Sequence, residues 1–147
     1  MKKEVALYSA WLLACIASLV SLYFSIVRNF EPCHLCWYQR IALFPLVPIL
    51  GIATYRSFLG IVPFVLPQVV LGLLVALYQI GIQEIPGWDP IALCGAGPAC
   101  SEKIPIGLGW VTIPMLSAIG FFTIFSLLLS VARNEPKELA FAPVRER

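Results

Sequence analysis

The sequence predicts an all-α membrane protein, a bundle of four transmembrane helices with a long extracytoplasmic loop between the third and fourth. Three observations carry this. The 147-residue chain is 60% hydrophobic and only 12% charged, against roughly 25% charged residues in a soluble domain. Its uncharged runs are long: 23 residues over 5–27, 27 over 57–83 and 29 over 104–132. About 20 apolar residues suffice to cross a bilayer. A fourth run, 41–55, is only 15 residues long, and reaches 24 when extended back to Pro32. It forms a span only if its first turns lie at the membrane surface; as a re-entrant segment it would leave three spans. The reading adopted is a single integral domain, 1–147, with spans at about 6–27, 37–55, 58–80 and 112–132 and a cytosolic tail, 133–147.

The first element begins "MKKEVALYSAWLLAC", and "LLAC" loosely resembles a lipoprotein cleavage box. The apolar run continues twelve residues past Cys15, beyond the short core of a signal peptide, so the segment reads as a true span. Cys15 then lies mid-membrane as a small buried thiol. The second element carries Pro45 and Pro48, the third Pro63 and Pro67, the fourth Pro114. Membrane helices tolerate prolines where neighbours satisfy the freed carbonyls.

Four spans put both termini on one side. Lys2, Lys3, Arg56, Arg133, Lys137, Arg145 and Arg147 share it, opposite Arg28, Arg40 and Lys103. By the positive-inside rule the termini are cytosolic. The net charge of +2 is divided across a bilayer and says little about partners; a nucleic-acid partner is not expected. With this topology Cys33, Cys36, Cys94 and Cys100 all face outward, where disulfides form and persist. The third loop, roughly 81–111, is turn-rich and encloses "CGAGPAC".

The stretch "FEPCHLCWYQR" holds the first cysteine pair. Pro32 suits the first helical position. Cys33 and Cys36, three apart, share a face, with Arg40 one turn below Cys36. The positive end of the helix dipole stabilises a thiolate there, as would Arg40 or a protonated His34. Arg40 also reads as a snorkelling anchor, but it falls inside the minimum span length. Trp37, Tyr38 and Gln39 read as an interfacial belt. The second pair closes a ring so short that a disulfide gains roughly 2 kcal/mol of chain entropy, which suits exchange better than stapling. Zinc held by Cys33, His34, Cys36, Cys94 and Cys100 is the competing site, though the spacing departs from paired knuckles. Purely structural disulfides are the non-enzymatic alternative. A dithiol at headgroup depth, with no haem motif and no dinucleotide fingerprint, points to a lipid-soluble quinone as electron acceptor, its carbonyl held by Arg40.

The four spans, the "PCHLCWYQR" motif, "GIATYR" after the second span and a compact C-x5-C-S loop together resemble the DsbB family of disulfide-forming membrane proteins, in its Gram-positive branch, often called BdbC. The resemblance covers about residues 5–132. It implies a four-helix bundle in the plasma membrane. That bundle would reoxidise an extracytoplasmic thioredoxin-like (DsbA- or BdbD-like) partner and pass electrons to menaquinone or ubiquinone. Carried onto this chain, Cys33 and Cys36 are the quinone-coupled pair, Cys36 touches the quinone and Arg40 assists it. Cys94 and Cys100 take electrons from the partner, Cys94 through a mixed disulfide. Gram-negative members space the loop pair much more widely. The vitamin K epoxide reductases also couple loop cysteines to a membrane C-x-x-C, but place that motif late in the chain rather than near the first span.

Overall fold

A computed structural model describes residues 2–29, 31–85 and 112–133. The described residues form helices joined by short turns, and four helices are long and apolar enough to cross a membrane. Cys94, Cys100 and the rest of the third loop and the tail lie outside the described residues.

Helix α1, Lys2–Ile26, follows from the first apolar run, with Glu4 in its first turn opposing the helix dipole favourably. Its buried face is made of Leu7, Ala10, Ala14 and Ser18, mostly small residues that let neighbouring helices approach closely. Leu12, Ile16, Leu19 and Tyr23 point outward. A soluble bundle would hide them; here they present apolar surface to lipid. Asn29, with φ 51°, turns the chain after the helix in a left-handed conformation that asparagine tolerates.

The second span is two helices, α2 (His34–Leu43) and α3 (Leu46–Tyr55). It starts three residues earlier than the expected 37, so the span is 22 residues long. Pro32 is not the first helical residue: Cys33 is the N-cap, with extended backbone (φ −65°, ψ 168°), and His34 opens the helix. The break has a covalent cause. Pro45 and Pro48 have no N–H to donate, so the ladder is interrupted twice within four residues. Val47 N–H bonds instead to Phe44 C=O, three residues back, at 3.2 Å, and Gln68 Nε2 of the next helix donates to Ala42 C=O at 2.9 Å. That is the neighbour's compensation a membrane proline needs.

After α3 the chain reverses through a Schellman turn: Phe58 N–H bonds Ala53 C=O at 2.8 Å and Ser57 N–H bonds Thr54 C=O at 3.2 Å. Ser57 occupies the left-handed position, φ 50°, where glycine is usual. A short 3-10 turn, Leu59–Ile61, leads into α4, Val62–Glu84, with a proline in its first turn. Helix α5 is Ile113–Arg133.

Two stripes close the bundle. On α4, Val62, Val65, Val69, Gly72, Ala76, Gln79 and Ile82 are buried; on α5, Ala118, Phe121, Ile124, Leu128 and Val131. Both recur every three or four residues, the spacing of one helix face. Gly72 is required by close approach, since a Cβ there would run into the Phe121 ring. Helix α5 packs on α1 and α4, α3 on α1, and α2 on α4. The main core joins Leu7, Ala10 and Ala14 to Leu46, Leu50, Val69, Phe121 and Leu128. A smaller cluster, Cys33, Leu35 and Ile82 with Cys36, Val75 and Tyr78 packed on it, sits apart at the end where α2 begins and α4 finishes.

Candidate active site

The sulfurs of Cys33 and Cys36 lie 3.2 Å apart as free thiols. The N-cap puts Cys33 at the mouth of α2 and the first turn brings Cys36 beneath it, so a small rotation joins them at the ~2.05 Å of a disulfide. Cys33 is buried and Cys36 half-buried. His34 is exposed beside them.

The pair is floored by α4. Gln79, only 2% exposed, reaches both sulfurs with Nε2, 3.3 Å from Cys33 Sγ and 3.5 Å from Cys36 Sγ. Its Oε1 accepts from Gln39 Nε2 at 2.8 Å and lies 3.8 Å from the Cys36 thiol. Gln39 is itself 6% exposed, so its reading as an interfacial residue is corrected. Three residues after Cys36, it stands on the face of α2 turned to α4, whereas Trp37 and Tyr38 remain exposed.

Around Cys33 the polar groups favour the thiolate. The Cys36 thiol donates to it, which is the largest influence; burial opposes this. The backbone N–H groups of Cys36 and Leu35 add to the lowering, short of a full capping bond, and Gln79 adds last. The net result holds the Cys33 thiol well below its ordinary 9.0, at about 6.

Arg40 lies on the same ten-residue helix but turns toward α1. Its Nε donates to Ser21 Oγ at 2.9 Å, and its Nη2 to Ser21 C=O at 3.0 Å and to Ser25 Oγ. The Trp37 ring covers it, 5.6 Å from centroid to Cζ, a cation–π distance. The guanidinium is therefore anchored by three helix-α1 acceptors at the end of the bundle that holds the sulfurs.

The four-span bundle thus carries a dithiol and an anchored cation at one end. The family model "Disulfide bond formation protein DsbB" matches residues 3–131. The chain belongs to the DsbB family. A "Probable disulfide formation protein" of Chlamydia muridarum is 46% identical over 133 residues, 90% of this chain and 96% of its own. A protein of that description from Coxiella burnetii (strain RSA 493) is 45% identical over 139 residues, 94% and 95% of the two chains. "Disulfide bond formation protein C" of Bacillus subtilis is 43% identical over 138 residues, 92% of this chain and all of its own. No solved structure matches. Oxidation of thiols to disulfides is the chemistry of this family, and the resemblance read from the motifs holds.

Within this DsbB-family chain, Cys33, Cys36 and Arg40 share one bundle end, while Cys94 and Cys100 are outside the described residues. Sequence reasoning missed Gln79, Ser21 and Ser25, and misplaced Gln39. The signal for Gln79 was available: an amide three residues beyond Ala76 and three before Ile82, inside an otherwise apolar stripe. Polar groups at such positions are expensive in a membrane and mark function.

Proposed function

We propose that the protein is a quinone-dependent thiol oxidase of the plasma membrane, reoxidising an extracytoplasmic thioredoxin-like dithiol protein. The observation that carries this is the Cys33–Cys36 pair, 3.2 Å apart, on the same short helix as an Arg40 tied to α1. Family membership supports it, and the charge count supports outward-facing cysteines and cytosolic termini.

In this reading the partner's thiolate attacks the Cys94–Cys100 disulfide through Cys94, and the loop dithiol so formed attacks Cys33–Cys36. Each exchange breaks one S–S bond and forms another, so two electrons pass with each transfer of the disulfide. Cys33, the sulfur with the stabilised thiolate, receives and returns the charge of that exchange. Cys36 lies deeper and serves the lipid side. The residues fit a quinone: a fixed guanidinium offers charge-assisted hydrogen bonds to a carbonyl, next to an exposed aromatic face at Trp37. A quinone supplies the sink for two electrons and two protons. Arg40 would bind and orient it there.

The test is anaerobic quinone reduction by protein in lipid nanodiscs, with a reduced thioredoxin-like protein as donor. Wild type turns over and Cys36→Ser does not; sustained turnover by Cys36→Ser sinks this electron route.

A further inference from the structure

Gln79 is unexplained by the family's activity and by packing. An amide in a bilayer-spanning helix costs free energy unless its donors and acceptor are occupied. Its oxygen accepts from Gln39 Nε2 at 2.8 Å and, over a longer 3.8 Å, from the Cys36 thiol. That leaves the NH2 end for the sulfurs, at 3.3 and 3.5 Å. Rotating the Gln79 amide alone by half a turn, with Gln39 held, would set donor against donor at Gln39 and turn the carbonyl oxygen to where the NH2 now meets both sulfurs. Gln39, in the orientation it takes here, thus favours the NH2 end of Gln79 toward the cysteines.

We propose that Gln79 is a catalytic residue of the helix pair, its amide N–H groups stabilising whichever of Cys33 and Cys36 carries thiolate charge, with Gln39 as the positioning residue that holds Gln79 in that orientation. The inference rests on Cys33–Cys36 being a reversible redox pair. When an incoming thiolate attacks one sulfur, a new S–S bond forms to it and the electron pair of the old bond leaves on the other cysteine. An NH2 group has two hydrogens, so either leaving sulfur finds a donor without movement of the α4 backbone. Amide donors bind a thiolate much better than a disulfide sulfur, because hydrogen bonds to charged groups are about twice as strong as neutral ones. Gln79 therefore favours the reduced pair and makes the disulfide a stronger oxidant toward the loop cysteines.

The experiment uses the full chain in nanodiscs with Cys94→Ser and Cys100→Ser, so that the helix pair is read alone, equilibrated against dithiothreitol redox buffers. Gln79→Met keeps length and volume and removes the donor. It is expected to lower the equilibrium constant for reduction about tenfold, about 30 mV for a two-electron couple. Gln39→Met shifts it in the same direction by less, and Gln39→Met/Gln79→Met by no more than Gln79→Met alone, since Gln39 acts through Gln79. Thermal stability is followed in parallel, because a merely structural amide would change that and leave the potential alone. An unmoved or raised constant in Gln79→Met, or additive effects in the double variant, overturns the proposal. Should Gln79→Met not fold, an unmoved constant in Gln39→Met overturns it. A wild-type pair that forms no reversible disulfide overturns it together with the proposed function; a reversible pair that fails to reduce quinone overturns the latter alone.

Discussion

The two packed clusters of this bundle are specified by different physics. In the main core, Leu46, Leu50, Val69, Phe121 and Leu128 are fully or almost fully buried and are placed by shape: the Phe121 ring occupies the space left by Gly72. At the cysteine end, Cys33, Leu35 and Ile82 surround side chains placed by direction, with Gln39 bonded to Gln79 and Gln79 to two sulfurs. Lipid tails are as apolar as leucine, so helix association in a membrane relies on close packing and interhelical hydrogen bonds. This protein uses the first for its body and the second for its chemistry. Changes in the core should therefore alter stability and spare redox behaviour, and changes at the cysteine end should do the reverse.

The largest expected effect is on protonation. With Cys15, Cys94 and Cys100 replaced and Cys36 kept, thiolate absorbance of the reduced protein should titrate at about 6 for Cys33. Cys36→Ala removes the main donor and should move that titration up toward 9.0. Because the folded value is depressed, this group's contribution to the stability of the reduced protein is present above pH 9.0 and is lost as pH falls through about 6. A titration left in place by Cys36→Ala would break the account of the site.

Next comes Arg40→Ala. Losing a charge-assisted hydrogen bond, worth about 1.5–3 kcal/mol, should weaken apparent quinone affinity about 10- to 100-fold. Disulfide exchange with the protein partner should persist. An unchanged dependence on quinone concentration would remove Arg40 from the site.

On the other side of the comparison, Gly72→Leu should cost about 1–3 kcal/mol by overpacking against Phe121, read as a lower melting temperature. Turnover per folded molecule should be unaltered, and a matching loss of turnover would show the two clusters to be coupled. The smallest effect is a gain. Ser57→Gly relieves a left-handed backbone cost of about 1 kcal/mol at the α3–α4 turn and should raise stability without touching the cysteines.

The bundle was legible in the sequence where it depends on run length. Uncharged stretches over 5–27, 57–83 and 104–132 mark α1, α4 and α5, and the short run from 41 pointed to a second span that reaches back toward the cysteine motif, although the adopted start at 37 is three residues late. The site was legible only along one helix. Cys33 and Cys36 are neighbours in sequence and in space, so their spacing sufficed. Gln79 is 40 residues from Gln39 and 46 from Cys33, and Ser21 is 19 from Arg40. Those meetings depend on helix phase and on which helices pack together, neither of which the local pattern encodes. Gln39 shows the limit well: beside two exposed aromatics it looks interfacial, and only the rotation of α2 against α4 makes it internal.

The interruption at Phe44 and Pro45 has a mechanical consequence. Helix α2 lies against α4 while α3 lies against α1, so the second span behaves as two rods sharing a joint rather than as one stiff post. Drawing the Cys33 and Cys36 sulfurs from contact into a bond shortens their separation by about 1 Å. That movement can be taken up within the ten residues of α2 and at the joint. Helix α3, on the far side of the joint, need not follow it.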